Sequence, residues 1–147
     1  MSRLIAVFSC LFLTLPYFLG QNHVEWTFEY DKNQQSLIFK GKIDKHWHLY
    51  SQRTPKYAGP VPVSINLEKN KNFKIKGKSV EISAPIDLYD NNFESKVFIF
   101  ENDFESHLKV RPKKNRSVIF EGVITYMVCN DSQCLPPIDK KFKIEFP

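Results

Sequence analysis

Cysteine is scarce in this sequence, which has three in 147 residues. Long apolar runs are missing as well, since no stretch reaches the roughly 18 consecutive apolar residues that mark a transmembrane helix. No segment has a collagen-like repeat or extended low complexity, and no arginine cluster accompanies the formal net charge of +5. These absences exclude a fibrous protein and argue against a membrane span and a nucleic-acid-binding surface.

The N-terminus predicts a secretory signal peptide. Arg3 supplies a positive charge, residues 4–18 are mostly apolar, and the small residue Gly20 precedes a polar one. This order is typical of a cleaved leader, which we place at residues 1–20. A lipoprotein box at residues 7–10 fits less well because few residues precede Cys10. Cleavage would remove Cys10 and leave two cysteines in a single domain, residues 21–147.

The rest of the chain has the two-residue apolar period of β-strands. Val24, Trp26, Phe28 and Tyr30 alternate with polar residues, and no segment sustains a helical period. The same pattern recurs in residues 37–43, 61–67, 73–75, 97–101, 104–110, 118–129 and 142–146. Eight or nine short strands separated by turn-forming clusters predict an all-β fold, an antiparallel β-sandwich of immunoglobulin type. A lipocalin-like barrel is less suitable because residues 51–60 form a long irregular loop.

The candidate chemistry lies in residues 126–137. Strand parity places Tyr126 and Val128, with Ile124, on one face and Met127 and Cys129, with Thr125, on the other. Four polar residues separate Cys129 from Cys134, and two prolines follow. The pair is therefore expected in a tight polar turn at a strand end, where a partner protein reaches it. In an oxidising compartment it forms a disulfide.

Three interpretations of this pair remain open. A structural bridge closing about six residues would constrain the unfolded chain by only about 2 kcal/mol, against nearly 5 for a loop of about 100 residues. A reversible redox pair needs one exposed sulfur and a second close by, which a small loop supplies. A metal site would add a histidine from His23, His46, His48 or His107, of which His46 and His48 are expected on one strand face.

The residues around the pair resemble a known family. Residues 126–129 and 134–137, Tyr-Met-Val-Cys and Cys-Leu-Pro-Pro, are similar to the active-site hairpin of the N-terminal periplasmic domain of DsbD, a thiol:disulfide interchange reductase. Residues 46–52, His-Trp-His-Leu-Tyr-Ser-Gln, are similar to that domain's aromatic-Leu-Tyr strand. The resemblance covers nearly all of residues 21–147 and implies an immunoglobulin-like fold, in agreement with the strand pattern.

The resemblance also implies a mechanism. The cysteines would cycle between dithiol and disulfide, taking electrons from a thioredoxin-like or membrane-embedded disulfide reductase and passing them to oxidised periplasmic proteins. Cys134 resembles the cysteine that forms mixed disulfides with partners, and Cys129 the cysteine that resolves them. We expect a monomer without a cofactor or metal.

Four further residues are expected at the site. The family protects its cysteines with an aromatic cap loop, and residues 89–96 lie where that loop should be, with Phe93 as the cap. The alternative is that Phe93 is a core residue at a strand entry. Tyr50 and His48 share a strand face and are expected to border the pair. Asp131, inside the cysteine loop, should disfavour the reactive thiolate by like-charge repulsion.

Two departures from the family qualify the resemblance. The best-known form of the domain has five residues between its cysteines, whereas this sequence has four. The sequence also ends at Pro147 without transmembrane segments or a thioredoxin C-x-x-C motif. We therefore expect either a free-standing domain that receives its electrons from separate proteins or a fragment of such a system.

Overall fold

The computed structural model describes residues 22–113 and 117–146. The predicted signal peptide lies outside these residues. Within them, no helix is long and apolar enough to cross a membrane. The described residues form twelve strands and one 3-10 turn: β1 (Val24–Asp31), β2 (Ser36–Ile43), β3 (His48–Tyr50), η1 (Lys56–Ala58), β4 (Ser64–Leu67), β5 (Phe73–Ile75), β6 (Val80–Glu81), β7 (Ile86–Asp90), β8 (Ser95–Glu101), β9 (Asp103–Pro112), β10 (Val118–Tyr126), β11 (Val128–Cys129) and β12 (Ile138–Phe146).

The strands pair into three antiparallel sheets. The first has the order β1-β2-β9-β5, with β6 also paired to β9. The second has the order β12-β10-β4, and the third β11-β3-β8-β7. The structure has more strands than the eight or nine predicted, because pairings of only two or three residues, as in β6 and β11, are too short to show alternation. The all-β, immunoglobulin-like architecture is confirmed.

Aromatic side chains fill the space between the first and second sheets. The ring of Phe142 on β12 lies 5.4 Å from Phe28 and 5.1 Å from Phe39, centroid to centroid. Trp26 on β1 lies 5.2 Å from Tyr126 on β10. Aromatic contacts at these separations stabilise a core beyond the area they bury, so these rings hold the first and second sheets together.

The predicted long strand over residues 118–129 is broken at Met127. Tyr126 ends β10 in the second sheet, and the chain then continues as β11 in the third, where Cys129 pairs with His48. The predicted parity is confirmed: Tyr126 and Val128 belong to the main core, and Cys129 lies in a second apolar cluster against which Met127 packs. The chain therefore crosses from the second sheet to the third at Met127, and this crossing places Cys129 in the third sheet.

This second cluster, the site cluster, lies on one face of the third sheet. It consists of Tyr50, Ala58, Val97, Ile99 and Cys129, with Phe93, Met127 and Cys134 packed against it. The loop of residues 51–60 covers part of it and contains η1. Thr54 anchors that loop, because its hydroxyl donates to the Phe98 carbonyl and accepts from the Phe98 amide, both at 3.0 Å.

Candidate functional site: a disulfide at a strand end

Cys129 and Cys134 are joined in a disulfide that closes a short hairpin. Their Cα atoms lie 4.1 Å apart, and the two residues form an isolated antiparallel bridge. The Asn130 amide donates to the Gln133 carbonyl at 2.9 Å. The Asn130 side-chain oxygen also accepts from the amides of Ser132 and Gln133, each at 2.9 Å. This asparagine turn fixes the loop without apolar packing, so the loop remains polar and exposed.

The two cysteines differ in accessibility. Cys129 is completely buried under the site cluster, whereas Cys134 is only partly buried. The difference follows from the hairpin, because Cys129 pairs with β3 inside the sheet and Cys134 lies outside every named strand. Cys134 is therefore the more exposed residue of the pair.

Three polar side chains form a buried network beside Cys134. The Tyr50 hydroxyl lies 4.0 Å from the Cys134 Sγ and donates a 2.5 Å hydrogen bond to Oδ2 of Asp90. His48 Nε2 lies 3.1 Å from the same hydroxyl oxygen. Because the only Tyr50 hydroxyl proton goes to Asp90, His48 Nε2 is the donor to the Tyr50 oxygen. These hydrogen bonds thus fix the position of the Tyr50 hydroxyl oxygen beside the sulfur of Cys134.

Burial shifts the titration of two of these groups. Desolvation raises the pKa of Tyr50, and the hydrogen bond and charge of Asp90 raise it further, so the phenol is neutral at physiological pH. Desolvation lowers the pKa of His48, partly offset by the carboxylates of Asp90, Glu101 and Asp131. His48 is therefore held mainly neutral.

Phe93 lies over the site cluster at the turn between β7 and β8. Its ring makes an edge contact with Tyr50 at 6.0 Å between centroids, and it packs against the site cluster, which contains Cys129 and against which Cys134 also packs. Gly59 allows this placement, because a Cβ at that residue would lie 2.6 Å from the Phe93 ring. Gly59 also has a φ of 103°, which favours glycine.

The Asp90 side chain fixes the Phe93 turn, and the Asn92 side chain attaches that turn to the cysteine hairpin. The Asn92 amide donates to Oδ1 of Asp90 at 2.7 Å, and the Asn92 side chain donates to the Asn130 carbonyl at 3.1 Å. Asp90 therefore connects three parts of the site: the turn through Asn92, the network through Tyr50, and the hairpin indirectly through Asn130.

The structure brings most of the sequence-predicted site residues together. Tyr50, His48 and Phe93 lie around the disulfide, and Asp131 is exposed in the hairpin. The placement of His46 on the same strand face as His48 is wrong. His46 has a φ of 69° in the turn before β3 and is exposed. Among the described residues, no group of three or more His, Cys, Asp or Glu side chains is arranged to hold a metal ion.

Asp90 is the site residue that sequence reasoning missed. It is 3% exposed and faces the network, but in the sequence it begins the run Asp-Asn-Asn, which is typical of a surface turn. The available signal was its position inside the predicted cap loop, at the end of a segment that alternates apolar and polar residues. This position identifies a turn, but it does not show whether the Asp90 carboxylate points into the protein or toward solvent.

Fold and site together define a class: an immunoglobulin-like β-sandwich with a strand-end disulfide under an aromatic side chain. The family model described as "Thiol:disulfide interchange protein DsbD, N-terminal" matches residues 17–145. The chain belongs to this family and is a thiol–disulfide exchange module. None of the curated protein sequences matches it significantly.

Solved structures with the same fold include two from Neisseria meningitidis and one from Proteus mirabilis. The reduced DsbD N-terminal domain of N. meningitidis is 14% identical, with a TM-score of 0.61 over 84% of this chain and 86% of that one. The complex of that domain with the PilB N-terminal domain gives 12% identity and a TM-score of 0.58, covering 88% and 86%. The N-terminal periplasmic domain of P. mirabilis ScsB gives 16% and 0.54, covering 90% of this chain and 48% of that one.

Proposed function

We propose that this protein passes reducing equivalents to oxidised partner proteins through Cys129 and Cys134. The observation that carries the proposal is the unequal burial of the two cysteine residues that close one short loop. Thiol–disulfide exchange needs one sulfur that a partner reaches and a second that is close but shielded. Cys134 has the first property and Cys129 the second.

The exchange proceeds in two displacements. In the reduced protein, the Cys134 thiolate attacks one sulfur of a partner disulfide, so a bond forms between Cys134 and the partner and the partner's other sulfur leaves as a thiolate. The Cys129 thiolate then attacks the Cys134 sulfur, restores the Cys129–Cys134 bond and releases the partner's second thiolate. Two electrons pass to the partner, and the protons lost by the two thiols balance those that the partner thiolates take up.

The surroundings of Cys134 favour a slow, protected reduced state. The Tyr50 hydroxyl proton is committed to Asp90, so Tyr50 does not donate to a Cys134 thiolate. The carboxylates of Asp90 and Asp131 oppose a second negative charge nearby. Phe93 covers the pair until a partner displaces it. His48 supports this arrangement by donating to the Tyr50 oxygen.

The location and partners follow from the predicted leader and the family. We infer that residues 1–20 are a cleaved signal peptide and that residues 21–147 act in the periplasm. The electron donor would be a thioredoxin-like or membrane-embedded disulfide reductase, and oxidised periplasmic proteins would be the acceptors. The complex of the N. meningitidis DsbD N-terminal domain with the PilB N-terminal domain supports a protein partner for this chain.

Trapping of the mixed disulfide tests the two cysteine roles. Cys129→Ala and Cys134→Ala, each in the reduced form, are incubated with a thioredoxin variant that keeps only its exposed active-site cysteine, held as a mixed disulfide with thionitrobenzoate, and the products are separated by non-reducing electrophoresis. We expect Cys129→Ala to accumulate a covalent complex, because its Cys134 displaces thionitrobenzoate and neither protein then has a second active-site thiol to break the new disulfide. Cys134→Ala should form little, because the remaining sulfur is buried.

The controls are the double variant, which should give no complex, and the same samples after dithiothreitol, which should release both proteins. Equal trapping by the two single variants, or more by Cys134→Ala, would contradict the assigned roles. Absence of a complex with either variant would instead support the alternative, an immunoglobulin-like module with a purely structural disulfide.

A further inference from the structure

Strand β7 carries two exposed aliphatic side chains at the edge of the sheet that holds the disulfide. Ile86 is 48% exposed and Leu88 is 37% exposed. Among the described strands, β7 pairs only with β8, so its outer edge is uncovered. Exposed apolar side chains that cluster on one strand are less common than scattered ones and mark interaction surfaces.

These side chains face the same way as the site cluster. Ile86 lies opposite Ile99, which in turn lies opposite Tyr50, and Leu88 lies opposite Val97. Directly opposite residues in an antiparallel sheet share a face. Val97, Ile99 and Tyr50 are buried in the site cluster with Cys129. Ile86 and Leu88 therefore continue the apolar face of the disulfide site out to the edge of the sheet.

A third exposed apolar residue comes from the loop that covers this face. Tyr57 in η1 is 87% exposed, while the next residue, Ala58, packs in the site cluster. Gly59 follows and contacts the ring of Phe93. Tyr57 thus projects outward from the segment that supports the covering phenylalanine.

We propose that Tyr57, Ile86 and Leu88 form the docking surface for the thioredoxin-like domain that exchanges with Cys134; this rests on the proposed function. A mixed disulfide at Cys134 brings the partner onto this part of the protein. A specific interface covers about 800 Å² on each partner, far more than the cysteine loop offers, so it must extend to neighbouring side chains. Such a partner would desolvate Ile86 and Leu88 on this face and Tyr57 on the loop that covers it, since interface cores are poor in charge and rich in aromatic and aliphatic groups.

The test compares a protein reductant with a small one. Reduction of the oxidised protein is followed by stopped flow with reduced thioredoxin and, separately, with dithiothreitol, which needs no docking surface. For Ile86→Ser/Leu88→Ser and for Tyr57→Ser, we expect the second-order rate constant with thioredoxin to fall about tenfold, which corresponds to about 1.4 kcal/mol. The rate with dithiothreitol should remain unchanged.

Ile119→Ser is the matched control. Ile119 is 42% exposed on β10, in a different sheet, and its replacement should alter neither rate. Unchanged thioredoxin rates in the Ile86/Leu88 variant would overturn the proposal, and so would an equal fall with both reductants, which would indicate a disturbed site.

Two further outcomes separate the proposal from its alternatives. If thioredoxin reduces the wild-type protein no faster than an equal concentration of dithiothreitol, the proposed function fails along with the docking surface. If the wild-type protein dimerises in sedimentation experiments and the Ile86→Ser/Leu88→Ser variant does not, the surface belongs to a second copy of the chain and the proposal is overturned.

Discussion

Replacement of Tyr50 by Phe tests the buried network with the smallest available change. The variant keeps the fully buried ring and removes one oxygen, together with its contacts to Asp90, His48 and Cys134. Asp90 then keeps the amide of Asn92 at Oδ1 but loses its hydrogen-bond donor at Oδ2, where the charge contact with His48 Nε2 at 3.9 Å remains. A cavity the size of one hydroxyl oxygen contributes little, so the cost is mainly that of the lost hydrogen bond.

The expected loss in the free energy of unfolding is about 2–3 kcal/mol. Hydrogen bonds to charged groups contribute about 1.5–3 kcal/mol, and a buried acceptor left without a partner adds its desolvation cost. The variant also avoids the desolvation cost of burying the phenol hydroxyl, and this gain offsets part of the expected loss. Urea unfolding of the oxidised protein measures the difference, with an unchanged dependence on urea as evidence that only stability has changed.

The same replacement in an Asp90→Asn background isolates the contribution of the carboxylate. Without the charge at residue 90, Tyr50→Phe should cost about 1 kcal/mol or less, giving a coupling of at least about 1 kcal/mol between the two residues. An equal loss in both backgrounds would refute the reasoning, because it would show that the Tyr50 hydroxyl is not acting through Asp90.

Three further predictions concern the disulfide, the histidine and one glycine. Cys129→Ala/Cys134→Ala should remain folded and lose only about 2 kcal/mol by urea unfolding, as expected for a short loop. His48 has a lowered pKa when folded, so the unfolded chain binds more protons and stability should fall as the pH drops below about 6.5; His48→Gln should show a smaller fall between pH 7.5 and pH 5. Gly122→Ala should destabilise by about 2 kcal/mol or more, because its Cβ would clash with the Asn66 carbonyl oxygen across the β10–β4 pairing.

Each of these has a clear contrary result. Global unfolding of Cys129→Ala/Cys134→Ala would show that the disulfide is required for the fold and would contradict the first prediction. An equal acid-induced loss in wild type and His48→Gln would mean that the histidine is not buried in the neutral form. The control for Gly122 is Gly41→Ala, because Gly41 also lacks a positive φ and its added Cβ would meet only side-chain atoms, at 3.1 Å or more; a cost at Gly122 no larger than at Gly41 would contradict the clash with the Asn66 backbone.

The sequence predicted the parts of the site that depend on local pattern. Alternation along residues 118–129 separated the core-facing Val128 from Cys129, and the two-residue spacing of His48 and Tyr50 placed them together. Both inferences hold because side chains in a strand alternate strictly between faces. His46 failed the same reasoning because the strand begins after it, and its positive φ turns the chain before β3.

The rest of the site depends on contacts between distant parts of the chain. Asp90 reaches Tyr50 only because β7 pairs with β8 and β8 pairs with β3, each in one particular register. A shift of one residue in either pairing would turn the side chains of the displaced strand to the opposite face. Nothing in the local sequence of either strand specifies that register. The hydrogen bonds of the network and the contact between Phe93 and Gly59 could therefore be found only in the folded structure.

The reduction potential of the Cys129–Cys134 pair tests the central claim most directly. The oxidised protein is equilibrated in dithiothreitol or glutathione redox buffers, and the reduced fraction is measured by alkylation of free thiols. A redox-active pair should have a potential less negative than about −300 mV, within reach of thioredoxin-like reductants. A value more negative than about −300 mV would identify a structural disulfide and contradict the proposed exchange function.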